Sequence, residues 1–211
     1  MRFRLHPGRQ SSHLRVFFAG WGMDDTPFLP FLGEVETAIV WDYADLSTPL
    51  PFLNDDRPRS LVAWSLGVWA ATQVLRDADF VRTTAVNGTP MPIDDTRGIP
   101  TAVFDETLRT FSEAGVQRFR RRMCGGAAAL AEWMRHAPRR TIEDLGAELA
   151  AFSTEIRRRP PRPFRWDRAF AASGDRIFPP AAQRAAFPSA ETVPEAHWAP
   201  ELFARLLREE A

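Results

Sequence analysis

An α/β fold with a mostly parallel central sheet flanked by helices is the class this sequence predicts, and three observations predict it. The β-rich runs Leu14–Ala19, Val35–Tyr43 and Ser60–Trp64 are nearly continuous in apolar residues, as strands buried on both faces require. Stretches with helical spacing alternate with such runs, beginning at Leu66–Asp77. At 211 residues, with 45% hydrophobic and 26% charged residues, the chain suits one domain with an ordinary core and is too apolar to be disordered.

The elements follow in order. Leu14–Ala19 reads as the first strand, stopped by the tight turn Gly20-Trp21-Gly22. Val35–Tyr43 (VETAIVWDY) is the second strand, and Ser60–Trp64 (SLVAW) the third. One residue later, Leu66–Asp77 has the apolar spacing and alanine content of a buried helix. Residues 80–87 form a further strand ending at Asn87-Gly88-Thr89-Pro90. From Thr101 to about Arg158 the pattern turns helical in three segments, separated by Gly125-Gly126 and Pro138. This divides the chain into a core of residues 1–100 and 164–211 and a helical cap insertion of residues 101–163. Arg168–Ser173 and Ala190–Pro194 are short strands, and Pro200–Glu210 closes the chain as a helix.

Composition narrows the function. No apolar run approaches the ~18 residues that span a bilayer, and the opening MRFRLHPGRQSS lacks the apolar centre of a signal peptide, so a cytoplasmic protein with no membrane role is expected. The one cysteine, Cys124, beside Met123, reads as a small buried hydrophobe, and with four scattered histidines it offers no zinc set; neither metal nor cofactor is expected. All 27 basic residues are arginine, against 27 acids. Arg118–Arg165 holds twelve arginines and five acids, a local excess of seven that suits either an acidic partner or an ordinary solvated helical surface. The neutral total and the lack of a recognised motif argue against nucleic acid.

In open parallel sheets, ligands bind at the carboxyl ends of strands. Ser65, in Ala63-Trp64-Ser65-Leu66-Gly67, stands between a strand and a helix, where a nucleophile elbow belongs, and the small Ala63 and Gly67 let strand and helix approach closely. A serine hydroxyl needs a histidine base, and the histidine a carboxylate that fixes its tautomer. Asp175 and His197 follow strands in the order Ser, Asp, His, and their spacing leaves room for a helix and a strand between them. Asp175 also reads as a turn residue in Ser-Gly-Asp-Arg, and His197 as a surface histidine packed on Trp198. His6 and His13 precede the first strand and His136 sits in the insertion, which leaves His197 as the base. The backbone N–H groups of Leu66 and Trp21 are the candidate oxyanion donors, although Gly20-Trp21-Gly22 also reads as a plain tight turn. The absence of a third, suitably spaced glycine argues against a dinucleotide site.

At these residues the chain resembles the α/β-hydrolase superfamily and, more closely, the BioG family of pimeloyl-acyl-carrier-protein methyl ester esterases. The resemblance covers nearly the whole chain and rests on Phe18–Met23, Trp41-Asp42-Tyr43, Ala63–Val68, Asn87–Pro90, Gly98-Ile99-Pro100, the Phe119–Cys124 run FRRRMC, and Gly174-Asp175 with His197-Trp198. Ala63 departs from the usual first glycine of the elbow. The resemblance implies removal of the methyl group from pimeloyl-acyl carrier protein methyl ester, with Ser65, His197 and Asp175 as nucleophile, base and orienting carboxylate, in a step of biotin synthesis. It implies an acidic acyl carrier protein as partner, met by arginines of the insertion: Arg118, Arg121, Arg122, Arg139, Arg140, Arg157, Arg158 and Arg159. An apolar slot for the acyl chain is expected among Trp21, Trp64, Leu66, Phe111 and Trp133, in a monomer. A generalist carboxylesterase or thioesterase, and a non-catalytic hydrolase-like module that binds an acidic protein, are the alternatives.

Overall fold

The computed structural model describes residues 1–209. Seven strands form one sheet: β1 (Arg2–His6), β2 (Gln10–Phe18), β3 (Val35–Trp41), β4 (Arg59–Trp64), β5 (Arg82–Val86), β6 (Arg168–Ala172) and β7 (Glu191–Val193). Their order is β1-β3-β2-β4-β5-β6-β7, with β1 antiparallel to β3 and every other pair parallel. β2 and β4 lie at the centre, and Leu14, Val16, Phe17, Phe18, Leu61 and Ala63 are fully buried, which is why these strands read as unbroken apolar runs.

Among the described residues seven α-helices accompany the sheet: α1 (Leu66–Val74), α2 (Thr101–Arg109), α3 (Glu113–Cys124), α4 (Ala127–Met134), α5 (Ile142–Arg158), α6 (Pro180–Ala186) and α7 (Pro200–Arg208). α1 packs on β2 and β4, and α6 on β6. α2 to α5 form one helical segment between β5 and β6, with α3 against α4 and α2 against α5. An aromatic cluster locks α7 and the short 3-10 turn Thr26–Phe31 to the sheet. Phe28 lies at its centre, with ring centroids 4.6 Å from Phe17, 6.0 Å from Trp64, 5.5 Å from Trp198 and 5.7 Å from Phe203.

Three features depart from the expected elements. The first strand is β1, not Leu14–Ala19, and β2 begins at Gln10. β1 is an edge strand whose arginines face solvent, so it lacks the continuous apolar run by which the buried strands are recognised. The helical segment contains four helices rather than three: Thr110–Ser112 separates α2 from α3, and the Ser112 hydroxyl caps α3 by accepting the Gly115 N–H at 3.2 Å. α1 stops at Val74, and Asp77 opens a separate 3-10 turn. α6 occupies the room between Asp175 and His197. The expected end of the last helix, Glu210, lies outside the described residues; α7 is described to Arg208.

Removal of the Phe28 ring leaves a cavity that four aromatic neighbours cannot close, so Phe28→Ala is expected to lower stability by about 3–5 kcal/mol in urea denaturation. A loss under about 1 kcal/mol would show that the cluster is not part of the core.

Candidate active site

β4 delivers Ser65 into a backbone conformation with φ 60° and ψ −132°, which non-glycine residues rarely adopt. Its N–H donates to Val86 O at 2.9 Å and its carbonyl accepts the Val68 N–H, which pins the turn between β5 and the first turn of α1. The close approach of α1 to the end of β2 requires Gly67: a Cβ there would overlap the carbonyls of Phe18 and Ala19.

The structure brings Ser65, His197 and Asp175 together. His197 Nε2 is 2.9 Å from Ser65 Oγ, and Nδ1 is 2.8 Å from Asp175 Oδ2. The carboxylate requires a proton on Nδ1, so Nδ1–H donates to Asp175 and Nε2 accepts the serine hydroxyl. Both side chains of the His–Asp pair are fully buried. Asp175 is saturated: Oδ1 accepts the N–H groups of Ile177 (2.7 Å) and Phe178 (2.9 Å), and Oδ2 also accepts Gln183 Nε2 at 2.9 Å. The imidazole lies between Trp64, centroid 5.1 Å away, and the stacked ring of Phe178 at 6.0 Å.

Three polar residues that sequence reasoning did not single out individually shape this region. Asn87, at φ 47°, donates to His197 O at 2.9 Å and accepts the Ala172 N–H at 2.8 Å, tying the His197 loop to β6. Gln183 orients Asp175. Glu148, fully buried on α5, accepts the N–H groups of Gly22 and Tyr43, each at 3.1 Å, and Arg140 Nη1 at 2.7 Å; Arg140 also pairs with Asp42 at 3.2 Å. A signal for Glu148 exists in the sequence, since it shares the core-facing stripe Leu145, Leu149, Phe152 at spacings of three and four, where an acid is out of place.

Beside Ser65 lies a narrow apolar cavity of about 60 Å³, walled by Trp21, Leu66, Phe104, Phe119, Leu149 and Ile177 among others, with Arg122 at its rim. Trp21 and Leu66 both line this cavity, and among the described residues neither of their backbone N–H groups has a hydrogen-bond partner. Thr107, Phe119 and Arg122 are shared with a wider cleft of about 270 Å³ between α2 and α3, which Arg118 also lines.

Other expected positions need correction. Trp64 lies beneath the histidine rather than in the slot, donating Nε1 to His197 O at 2.9 Å. Phe111 packs edge-on against Trp21 and lines the outer cleft, because the break before α3 turns it away from Ser65. Trp133 packs on Trp198 and under the Arg120 guanidinium, away from the cavity. Arg140 is unavailable to a partner, being buried between Glu148 and Asp42. Arg157 pairs with Asp105, and Arg158 and Arg159 with Glu155. Arg118, Arg121, Arg122 and Arg139 are exposed and form no ion pair among the described residues. Cys124 is buried, and burial pushes its thiol up to about 12. Among the described residues there is no cluster of His, Cys, Asp and Glu able to hold a metal, and no helix is long and apolar enough to cross a membrane.

Comparison with known proteins places this arrangement in a family. The profile of the family described as "Pimeloyl-ACP methyl esterase BioG" matches residues 2–211, and the chain belongs to the BioG family. It is 45% identical over 175 residues to a malonyl-[acyl-carrier protein] O-methyltransferase of Bacteroides fragilis, covering 82% of this chain but 36% of that protein. The chain thus spans about a third of that longer relative. The crystal structure of BioG from Haemophilus influenzae superposes with a TM-score of 0.88 at 32% identity, over 97% of both chains. MenH from S. aureus, with a TM-score of 0.60 at 10% identity over 96% of this chain and 92% of that one, shares the fold.

Burial drives the Glu148 carboxyl up from its ordinary 4.5 to about 7, against the opposing pull of Arg140 and its two amide donors; Asp42 pushes it further up, and the Met1 amino group senses the same charge. The folded chain holds this proton more tightly than the unfolded chain. Its contribution to stability is therefore complete below about pH 4.5 and lost as pH rises through 7, by roughly 3 kcal/mol. The stability of the native protein relative to Glu148→Gln is expected to fall by that order between pH 4.5 and 8 in denaturant titrations, whereas a pH-independent difference excludes a titrating Glu148.

Proposed function

We propose that this BioG-family chain is a serine carboxylesterase that removes the methyl group from pimeloyl-acyl carrier protein methyl ester, releasing pimeloyl-acyl carrier protein for biotin synthesis. The observation that carries the reading is the continuous hydrogen-bonded chain Ser65–His197–Asp175 at the end of an apolar slot. The family description names this activity, and the methyltransferase name of the longer relative also specifies an acyl-carrier-protein substrate.

The chemistry follows from the atoms. Ser65 Oγ attacks the ester carbonyl carbon while His197 Nε2 takes the hydroxyl proton. Asp175 stabilises the imidazolium through Nδ1–H. Negative charge on the former carbonyl oxygen faces the free N–H groups of Trp21 and Leu66. As the tetrahedral intermediate collapses, methoxide leaves and receives the proton from His197, so methanol departs. A water then gives its proton to His197 and its oxygen to the acyl carbon, and Ser65 is regenerated with release of the free carboxylate.

The slot also fits a substrate tethered to a carrier. An acyl chain with its ester at Ser65 extends past Thr107 and Phe119 into the cleft between α2 and α3, where Arg118 and Arg122 stand. Their charge, with that of Arg121 and Arg139, suits an acidic carrier surface, and contacts of this type act mainly on association rate. The helical segment acts in this reading as the cap that supplies both docking surface and slot wall.

Ser65→Ala is expected to lower kcat/KM for the carrier-bound methyl ester by at least about 10³-fold. Raising salt from low to high is expected to slow the native enzyme on the carrier-bound ester about tenfold, with a free short-chain methyl ester unaffected. Retention of full activity by Ser65→Ala sinks the nucleophile assignment; equal, salt-insensitive rates on both esters favour a generalist esterase.

A further inference from the structure

We infer that Glu148 is a positioning residue for the oxyanion-binding turn Gly20–Gly22: the buried carboxylate, carried by α5, holds the Gly22 peptide and so keeps the Trp21 N–H directed at Ser65. This rests on the esterase reading above and deepens it, because it assigns part of the helical segment to transition-state stabilisation.

The turn is anchored on both sides of the Gly20–Trp21 peptide and through the Trp21 indole. The Ala19 N–H donates to Val40 O, and the Ala19 carbonyl accepts the Tyr43 hydroxyl at 2.8 Å. The Trp21 indole Nε1 donates to Leu145 O at 3.0 Å, one helical turn before Glu148. Gly22, at φ 75°, donates its N–H to Glu148 Oε2 at 3.1 Å. Because a peptide unit is planar, the Gly22 bond fixes the Trp21–Gly22 unit and the Tyr43 bond fixes the Ala19–Gly20 unit, so the Gly20–Trp21 unit that carries the Trp21 N–H is held between two anchored peptides. The Gly20 and Trp21 N–H groups are left without a partner among the described residues, on a turn that abuts Ser65 closely enough for a Cβ on Gly20 to crowd the serine Cβ at 3.0 Å.

Glu148 is suited to this role by its two oxygens. Oε1 takes the Tyr43 N–H while Oε2 takes Gly22 and Arg140, so a single carboxylate joins the ends of β2 and β3 through α5. Both oxygens face donors. Leucine in its place removes both acceptors at similar volume, whereas the amide of glutamine can turn its oxygen to Gly22 and Arg140 and lose only the Tyr43 bond. Arg140 keeps Asp42 as a partner, so the substitution does not strand its charge.

The test compares the native enzyme, Glu148→Leu, Glu148→Gln, Glu148→Asp and Ser65→Ala at pH 8, with a free short-chain methyl ester as substrate and an alkyl boronic acid as probe. The boronate forms a tetrahedral adduct on serine and places an oxygen where the oxyanion forms. Glu148→Leu, which takes the acceptor away from Gly22, is expected to lower kcat about 10- to 100-fold with KM within about twofold, and to weaken boronate inhibition by a similar factor. Glu148→Gln, whose amide oxygen can turn to Gly22, is expected to keep kcat within about threefold of native. Unchanged kcat in Glu148→Leu overturns the inference, as does a lower kcat with unchanged boronate affinity. Loss of activity in proportion to the fraction unfolded by circular dichroism also overturns it. Should Glu148→Leu fail to fold, Glu148→Asp, whose shorter side chain draws the carboxylate back from Gly22, decides by the same two readouts. Turnover by the native enzyme that does not depend on Ser65 overturns the esterase reading itself, a result distinct from each of these.

Discussion

The rest of the site depends on one constrained residue. Ser65 holds a backbone conformation that costs of the order of 1–3 kcal/mol for a side chain of its size, and it does so because its surroundings leave no alternative. β5 takes its N–H, the first turn of α1 takes its carbonyl, and the carbonyls at the end of β2 stand where any Cβ on Gly67 would have to be. Gly88 packs onto the Ser65 backbone from the other side with equally little space. Three strands and a helix therefore converge on one hydroxyl, and the cavity, the histidine and the Gly20–Gly22 turn are arranged around it.

Two buried carboxylates hold the parts around that hydroxyl, Asp175 the histidine and Glu148 the Gly20–Gly22 turn, and they differ in what satisfies them. Asp175 accepts four hydrogen bonds, two from backbone N–H groups, one from Gln183 and one from His197, and pairs with no arginine among the described residues. A carboxylate so held has fixed dipoles in place of water. Glu148 accepts three, one of them from a guanidinium, and still has its carboxyl pushed up to about 7, because complete burial outweighs them. An apolar residue of similar volume would avoid that penalty, so its presence on the core face of α5 needs a reason beyond stability.

The legible part of this protein was the part governed by short-range rules. Buried parallel strands declare themselves by unbroken apolar runs, and the elbow by small residues around Ser65, so the sheet and the positions of Ser65, Asp175 and His197 could be read directly. β1 escaped because an edge strand facing solvent carries alternating arginines, and the α2–α3 break because it depends on a single serine cap. Side-chain direction was the least legible. Trp64 and Trp133 are as aromatic as Trp21, yet they face other parts of the core, and only the tertiary arrangement separates them. The charge excess of Arg118–Arg165 was equally blind to pairing: Arg140 neutralises buried acids and three of its neighbours on α5 and just beyond bind nearby carboxylates, which leaves the excess on α3 and Arg139.

These contacts also restrict how a substrate reaches Ser65. α5 is joined to the Gly20–Gly22 turn through Trp21 and Leu145, and to the ends of β2 and β3 through Glu148. Opening the site by swinging α5 away would break both links and expose an ion held by Arg140, a cost of several kcal/mol. α2 and α3 carry no comparable buried charge; their facing side chains at the cavity mouth are Thr107, Phe119 and the exposed Arg122, whose Nη2 donates to Arg176 O at 2.9 Å. The easier route therefore runs between α2 and α3, past the exposed arginines of α3, with α5 fixed. α3, which carries the exposed arginines, and α5, which carries Glu148, are different helices of the same segment, so in the proposed reading docking can vary without disturbing the turn beside Ser65.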